Sequence, residues 1–100
     1  MEAGEDLLAA LVREAREESG CAVDVGRLVG IYMSVADSLV LFVFRATSST
    51  VSPSPGDDED SLAAGWFEPR QALDMVTHTG EHQRLADALA DAPGVVYRQR

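Results

Sequence analysis

Apolar residues recur near the start of the chain at the three- and four-residue spacing of one helical face. Leu8, Leu11, Val12 and Ala15 stand among good helix formers from Glu5 to Glu18. This pattern predicts a helix, closed at Ser19-Gly20 by a glycine suited to the left-handed conformation that ends helices. The period then changes. Val23 to Val35 is rich in Val, Ile and Tyr, and Asp37-Ser38 separates it from the apolar run Leu39 to Phe44. Two strands joined by a tight turn, antiparallel to each other, are expected. The second run is apolar at six consecutive positions, so it reads as a central strand with both faces covered.

From Thr47 to Ser61 the chain is dominated by Ser, Thr, Pro, Gly and the acidic run Asp57-Asp58-Glu59-Asp60, with too few apolar groups to fold alone. A flexible loop over 47–61 is predicted. Leu62 to Phe67 reads as a short strand ending in Trp66-Phe67, and Pro69 suits the first turn of a helix over Arg70 to Val76. A last helix over Gly80 to Ala90 is predicted, with Thr79 as N-cap, Glu81 in its first turn, Leu85, Ala88 and Leu89 on one face, and Pro93-Gly94 beyond its end. No repeat is visible. Helices and strands together imply one α/β (α+β) domain over residues 1–100, a mixed sheet packed by helices.

Composition narrows the function classes. With 46% hydrophobic and 25% charged residues the chain reads as soluble and globular, and no apolar run approaches the ~20 residues a bilayer requires. The acidic N-terminus lacks the basic flank and apolar core of a signal peptide, so a cytoplasmic location is expected. The lone Cys21 excludes an internal disulfide and a multi-cysteine zinc site. A net charge of −9 argues against broad binding to nucleic acid or anionic membranes. A phosphate-bearing substrate would need metal ions or local arginines; all eight basic residues are arginine.

The candidate chemistry lies on the first helix. Glu14, Glu17 and Glu18 fall at i, i+3 and i+4, which places their carboxylates on one face. Like charges at that spacing each cost roughly 0.2–0.5 kcal/mol. Arg13 and Arg16 are not expected to fall squarely among them, so a divalent cation is a natural counter-charge. Hard oxygen donors favour Mg²⁺ or Mn²⁺, and Mg²⁺ commonly keeps water and takes substrate phosphates, which suits an open helical face. Taken alone, acidic triples on helices are usually solvated surface.

The surrounding residues add to this. Glu5, Arg13, Glu14, Glu17, Glu18 and Gly20 occupy six fixed positions, at the right spacing, of the pattern G-x5-E-x7-R-E-U-x-E-E-x-G-U, U being a bulky aliphatic. The segment 5–21 therefore resembles the Nudix box. The resemblance continues in the hairpin, the strand ending Phe44-Arg45-Ala46, the variable loop and Trp66-Phe67 before a helix. It implies a Nudix hydrolase of the MutT-like kind, cleaving the diphosphate linkage of a nucleoside diphosphate joined to another group with Mg²⁺ or Mn²⁺. It implies that Glu17 and Glu18 are metal ligands and that Glu14 is a ligand or the general base, with Glu14 and Glu17 as the catalytic pair. Glu5, Arg13 and Gly20 are structural in the motif, Arg13 orienting the carboxylates.

The pattern also departs from this chain. The box's first glycine would precede Met1, Ala15 is small where a larger aliphatic is usual, and Cys21 replaces an aliphatic. The family's N-terminal strands, and with them part of the substrate's base or sugar site, would be missing, so a partial Nudix fold and a native start upstream are expected. The run Leu39 to Phe44 would then have an open edge able to pair with a second copy, and a non-catalytic remnant that binds a nucleotide or a protein is the alternative to an enzyme. Two weaker signals remain. His78-Thr79-Gly80-Glu81-His82 fits the H-x-x-E-H string of inverted zinc peptidases, but Gly80 sits in its middle and no glutamate follows to complete the site. Glu59 or Asp60 could supply a carboxylate from outside the box, although a solvated loop is the plainer reading.

Overall fold

The computed structural model describes residues 4–54 and 64–100. Among them the elements are α1 (Leu7–Ser19), β1 (Val23–Ser34), β2 (Leu39–Ser48), α2 (Pro69–Met75), α3 (Thr79–Ala90) and β3 (Val96–Gln99). The strands form one mixed sheet in the order β2-β1-β3. The described residues fall into two compact units. The first draws on Met1–Val25 and Ala46–Trp66, the second on Gly26–Arg45 and Phe67–Arg100.

In the first unit α1 starts later than its composition predicts because Asp6 caps it. The Asp6 carboxylate accepts from the Ala9 N–H at 2.7 Å, satisfying one of the first-turn donors that a helix leaves open. The helix ends as predicted, Gly20 adopting φ 70° while its N–H donates to the Arg16 carbonyl at 2.9 Å. Ala10 and Cys21 are buried.

The loop predicted from Thr47 begins later, since Thr47 and Ser48 belong to β2. Its described part is tied down. Thr50 Oγ1 accepts from the Ala22 N–H at 3.2 Å, and the Ser54 N–H donates to the Ser19 carbonyl at 2.8 Å. The acidic run with Glu59 and Asp60, and Leu62 of the predicted short strand, lie outside the described residues. Trp66 and Phe67 are not in a strand; the Trp66 indole N–H donates to the Thr50 carbonyl at 2.8 Å.

In the second unit, residues 35–38 turn β1 into β2, with Ser38 at φ 51° and its N–H on the Val35 carbonyl. β3 was not expected. It runs parallel to β1, pairing Gly30 with Val96 and Met33 with Gln99, and the Arg100 N–H extends the ladder to the Met33 carbonyl at 2.9 Å. This overturns the expected place of the Leu39–Phe44 run: β1 is central, and β2 is an edge among the described strands. Leu39, Val40 and Phe42 stand 45%, 44% and 47% exposed. Six apolar residues can announce burial but cannot say which strand takes the second neighbour.

The later helices need small corrections. α2 begins at Pro69, whose absent N–H is harmless in a first turn, and it packs against α3. α3 is capped by His78, whose Nδ1 accepts from the Glu81 N–H at 3.4 Å, so Thr79 is the first helical residue and not the cap. Val29 and Tyr32 are the buried hydrophobic residues of this unit.

Candidate functional site

Glu14, Glu17 and Glu18 all lie on α1 and all are exposed. Contrary to expectation, an arginine does fall among them. Arg13 Nη1 donates to Glu17 Oε2 at 2.9 Å, and its Nη2 lies 3.6 Å from Glu14 Oε1. Its Nε and Nη2 grip the Glu5 carboxylate at 2.9 and 3.1 Å. The reason is geometric. Glu17 lies one helical turn beyond Arg13, and the planar guanidinium has enough donors to hold one carboxylate bidentately and reach another.

Hydrogen bonds donated to Glu5, then to Glu17, hold the Arg13 guanidinium well above its ordinary pKa. It is therefore a fixed positive charge. Glu5 is the more enclosed partner, its side chain 16% exposed against 59% for Glu17. The bridge thus ties the chain before the helix to the middle of the helix. Gly20 closes the segment at close quarters: a Cβ there would stand 2.8 Å from Ser54 Oγ and 3.3 Å from the Ser54 backbone N and O.

Among the described residues no three His, Cys, Asp or Glu converge as a ready-made metal site. The donors nevertheless suit a hard cation in kind. Mg²⁺ needs only one or two carboxylates when water and phosphate complete its shell, and an exposed helix face leaves those positions open.

The H-x-x-E-H string resolves into a helix start. His78 is spent on capping Glu81, and His82 donates its backbone N–H to the His78 carbonyl at 2.8 Å.

Sequence reasoning missed two polar clusters in the second unit. Asp91, left-handed at the end of α3, takes Arg27 Nη2 at 2.7 Å and Arg45 Nη1 at 2.6 Å, and these two arginines, Arg27 first, hold its carboxyl below the usual range. Asp87 takes both the Tyr32 hydroxyl at 2.9 Å and the Arg98 fork at 2.8 and 2.9 Å. Arg98 is the main cause of the lowered Asp87 pKa, while desolvation, reinforced by Asp87, pushes the Tyr32 hydroxyl up to about 12. These partners are 55 and 11 residues from Asp87. No local pattern marks Asp87, because its partners lie on β1 and β3.

The profile of the NUDIX domain family matches residues 1–90. The chain belongs to this family. It is 37% identical over 75 residues, 73% of its length, to the 8-oxo-dGDP phosphatase NUDT18 of Mus musculus, but spans only 23% of that protein. Its fold is similar to a crystal structure of a NUDIX hydrolase from Nitrosomonas europaea, with a TM-score of 0.82 and 22% identity, covering 100% of this chain and 58% of that one. Among the described residues no helix is long and apolar enough to cross a membrane.

Proposed function

We propose that this chain carries the catalytic segment of a hydrolase that cleaves the diphosphate linkage of a nucleoside diphosphate joined to another group, using Mg²⁺ or Mn²⁺. The observation that carries the reading is the Arg13 bridge between Glu5 and Glu17 inside a segment whose fixed positions match the family's motif. Glu14, Glu17 and Glu18 would hold the cation. When bound, it supplies charge neutralisation for the diphosphate and lowers the pKa of water. Glu14 serves as the base that accepts a proton, exposed on the helix where a substrate can approach. Arg13 restrains Glu17 through the hydrogen bond its guanidinium donates.

The relative's name makes an oxidised guanine nucleoside diphosphate the first substrate to try, as a small molecule and not a nucleic acid. Hydrolysis of a nucleotide panel with Mn²⁺ tests the reading: turnover that disappears in Glu17→Gln supports it, and equal turnover in that variant defeats it.

A second reading draws on the exposed edge residues Val40 and Phe42 and on the lack of three convergent metal donors among the described residues. On it, the chain is a non-catalytic nucleotide-binding or pairing module, self-associating through β2. A folded dimer inert toward every nucleotide would favour it.

A further inference from the structure

The second unit holds a cavity of about 170 Å³ to which α1 contributes nothing. Its walls combine apolar Leu39, Leu41 and Tyr32 with Arg84, Arg100 and the buried Gly80 of the first turn of α3. A Cβ at Gly80 would stand 3.0 Å from Arg100 Nη1 and 3.2 Å from Arg84 Nη1, so the two guanidinium nitrogens are no farther apart than those distances together. The absent side chain is what lets both heads reach the helix start.

These two cations repel each other, and among the described residues neither forms an ion pair. Arg98, also in the wall, is already neutralised by Asp87. The carboxylate that remains in the wall, Asp37, accepts a hydrogen bond from Ser34 Oγ at 2.8 Å. Two guanidinium heads against that one carboxylate leave a surplus of cationic side chains beside an apolar surface. The α3 start adds to it. Glu81 and His82 have their N–H groups bonded to His78, while those of Thr79 and Gly80 come before any intrahelical acceptor.

We infer that this cavity binds the phosphate group of a small phosphate monoester, with the ester's apolar body against Leu39 and Leu41. Guanidinium forks and helix N-termini both match phosphate oxygens, and the apolar wall gives a reason to prefer an ester over the free ion. The site uses none of the residues assigned to diphosphate hydrolysis and does not depend on that reading.

The test is an amide-resolved NMR titration of the whole chain at constant ionic strength with EDTA present, so that metal-borne phosphate at α1 cannot contribute. Inorganic phosphate, phenyl phosphate and acetate are the probes. Saturable shifts at Thr79, Gly80 and Arg84 are expected with both phosphates, with additional shifts at Leu39 and Leu41 and tighter binding for phenyl phosphate. Arg84→Gln and Arg100→Gln, each with an unchanged circular dichroism spectrum, should weaken binding about tenfold or more. Absence of saturable shifts, undiminished affinity in both variants, or equal displacement by acetate would overturn the phosphate site. Phenyl phosphate binding no more tightly than inorganic phosphate would overturn the monoester assignment.

Discussion

Arg13 and Glu5 form a two-point contact, Nε and Nη2 on the two carboxylate oxygens at 2.9 and 3.1 Å, and the same guanidinium carries Glu17 at 2.9 Å. Lysine at this position would keep the charge and lose the fork. Arg13→Lys should therefore lower the urea-unfolding midpoint slightly and reduce metal-dependent turnover more than it weakens substrate binding. An unchanged urea midpoint together with unchanged turnover would mean that the bridge is incidental.

Gly20 is constrained twice, by φ 70° and by Ser54 packed where a Cβ would go. Since the Ser54 contacts include backbone atoms, the neighbour cannot simply rotate away. Gly20→Ala should cost about 1–3 kcal/mol. Gly20→Asn keeps the steric clash but tolerates the left-handed backbone, so it should lose less than an equally bulky Leu. Denaturant titration of the three variants checks the order.

The Tyr32, Asp87 and Arg98 cluster predicts both ends of the pH–stability curve. Asp87 has a folded pKa below its unfolded value, so its contribution is present above the ordinary carboxylate pKa of about 3.9 and is lost as acid takes the pH down through the lowered value. Tyr32 has the opposite sign. Its folded pKa, raised to about 12, gives stability that is complete below the unfolded value of about 10 and is lost as the pH rises through that window. Tyr32→Phe should remove a hydrogen bond worth about 1 kcal/mol at neutral pH and flatten the alkaline limb. Asp87→Asn should flatten the acid limb. Thermal unfolding measured from pH 2 to 12 reads both slopes, and parallel curves for wild type and variants would contradict the assignment.

The place of β2 at the edge of the described strands makes its own prediction. If Val40 and Phe42 mediate self-association, Val40→Lys should shift sedimentation toward monomer at a given concentration, because a charged edge discourages strand pairing. Identical sedimentation of the two proteins would remove β2 as the contact.

Local features were readable in the sequence, and long-range pairings were not. The α1 periodicity, the Gly20 cap and the turn before Leu39 each depend on neighbouring residues, and each stands where it was expected. β3 was missed because it is four residues long; the run Val95-Val96-Tyr97 was its only signal. The edge position of β2 follows from that omission, since it is β3 that makes β1 central. His78 displaced Thr79 as cap because an imidazole nitrogen reached the Glu81 N–H, a choice of rotamer that composition does not encode. At the candidate site the carboxylates were legible from spacing and the motif implied that Arg13 orients them, but its two-point hold on Glu5 was not legible.

The claim most exposed to test is that the α1 carboxylates hold a divalent cation for diphosphate hydrolysis. Mn²⁺ binding, followed by electron paramagnetic resonance on wild type and on the Glu14→Gln, Glu17→Gln and Glu18→Gln variants, measures it without relying on the choice of substrate. The account predicts saturable binding by wild type that weakens about tenfold or more in each variant, in parallel with loss of nucleotide hydrolysis. Mn²⁺ binding of equal strength in all four proteins, or none in a folded wild type, would contradict it.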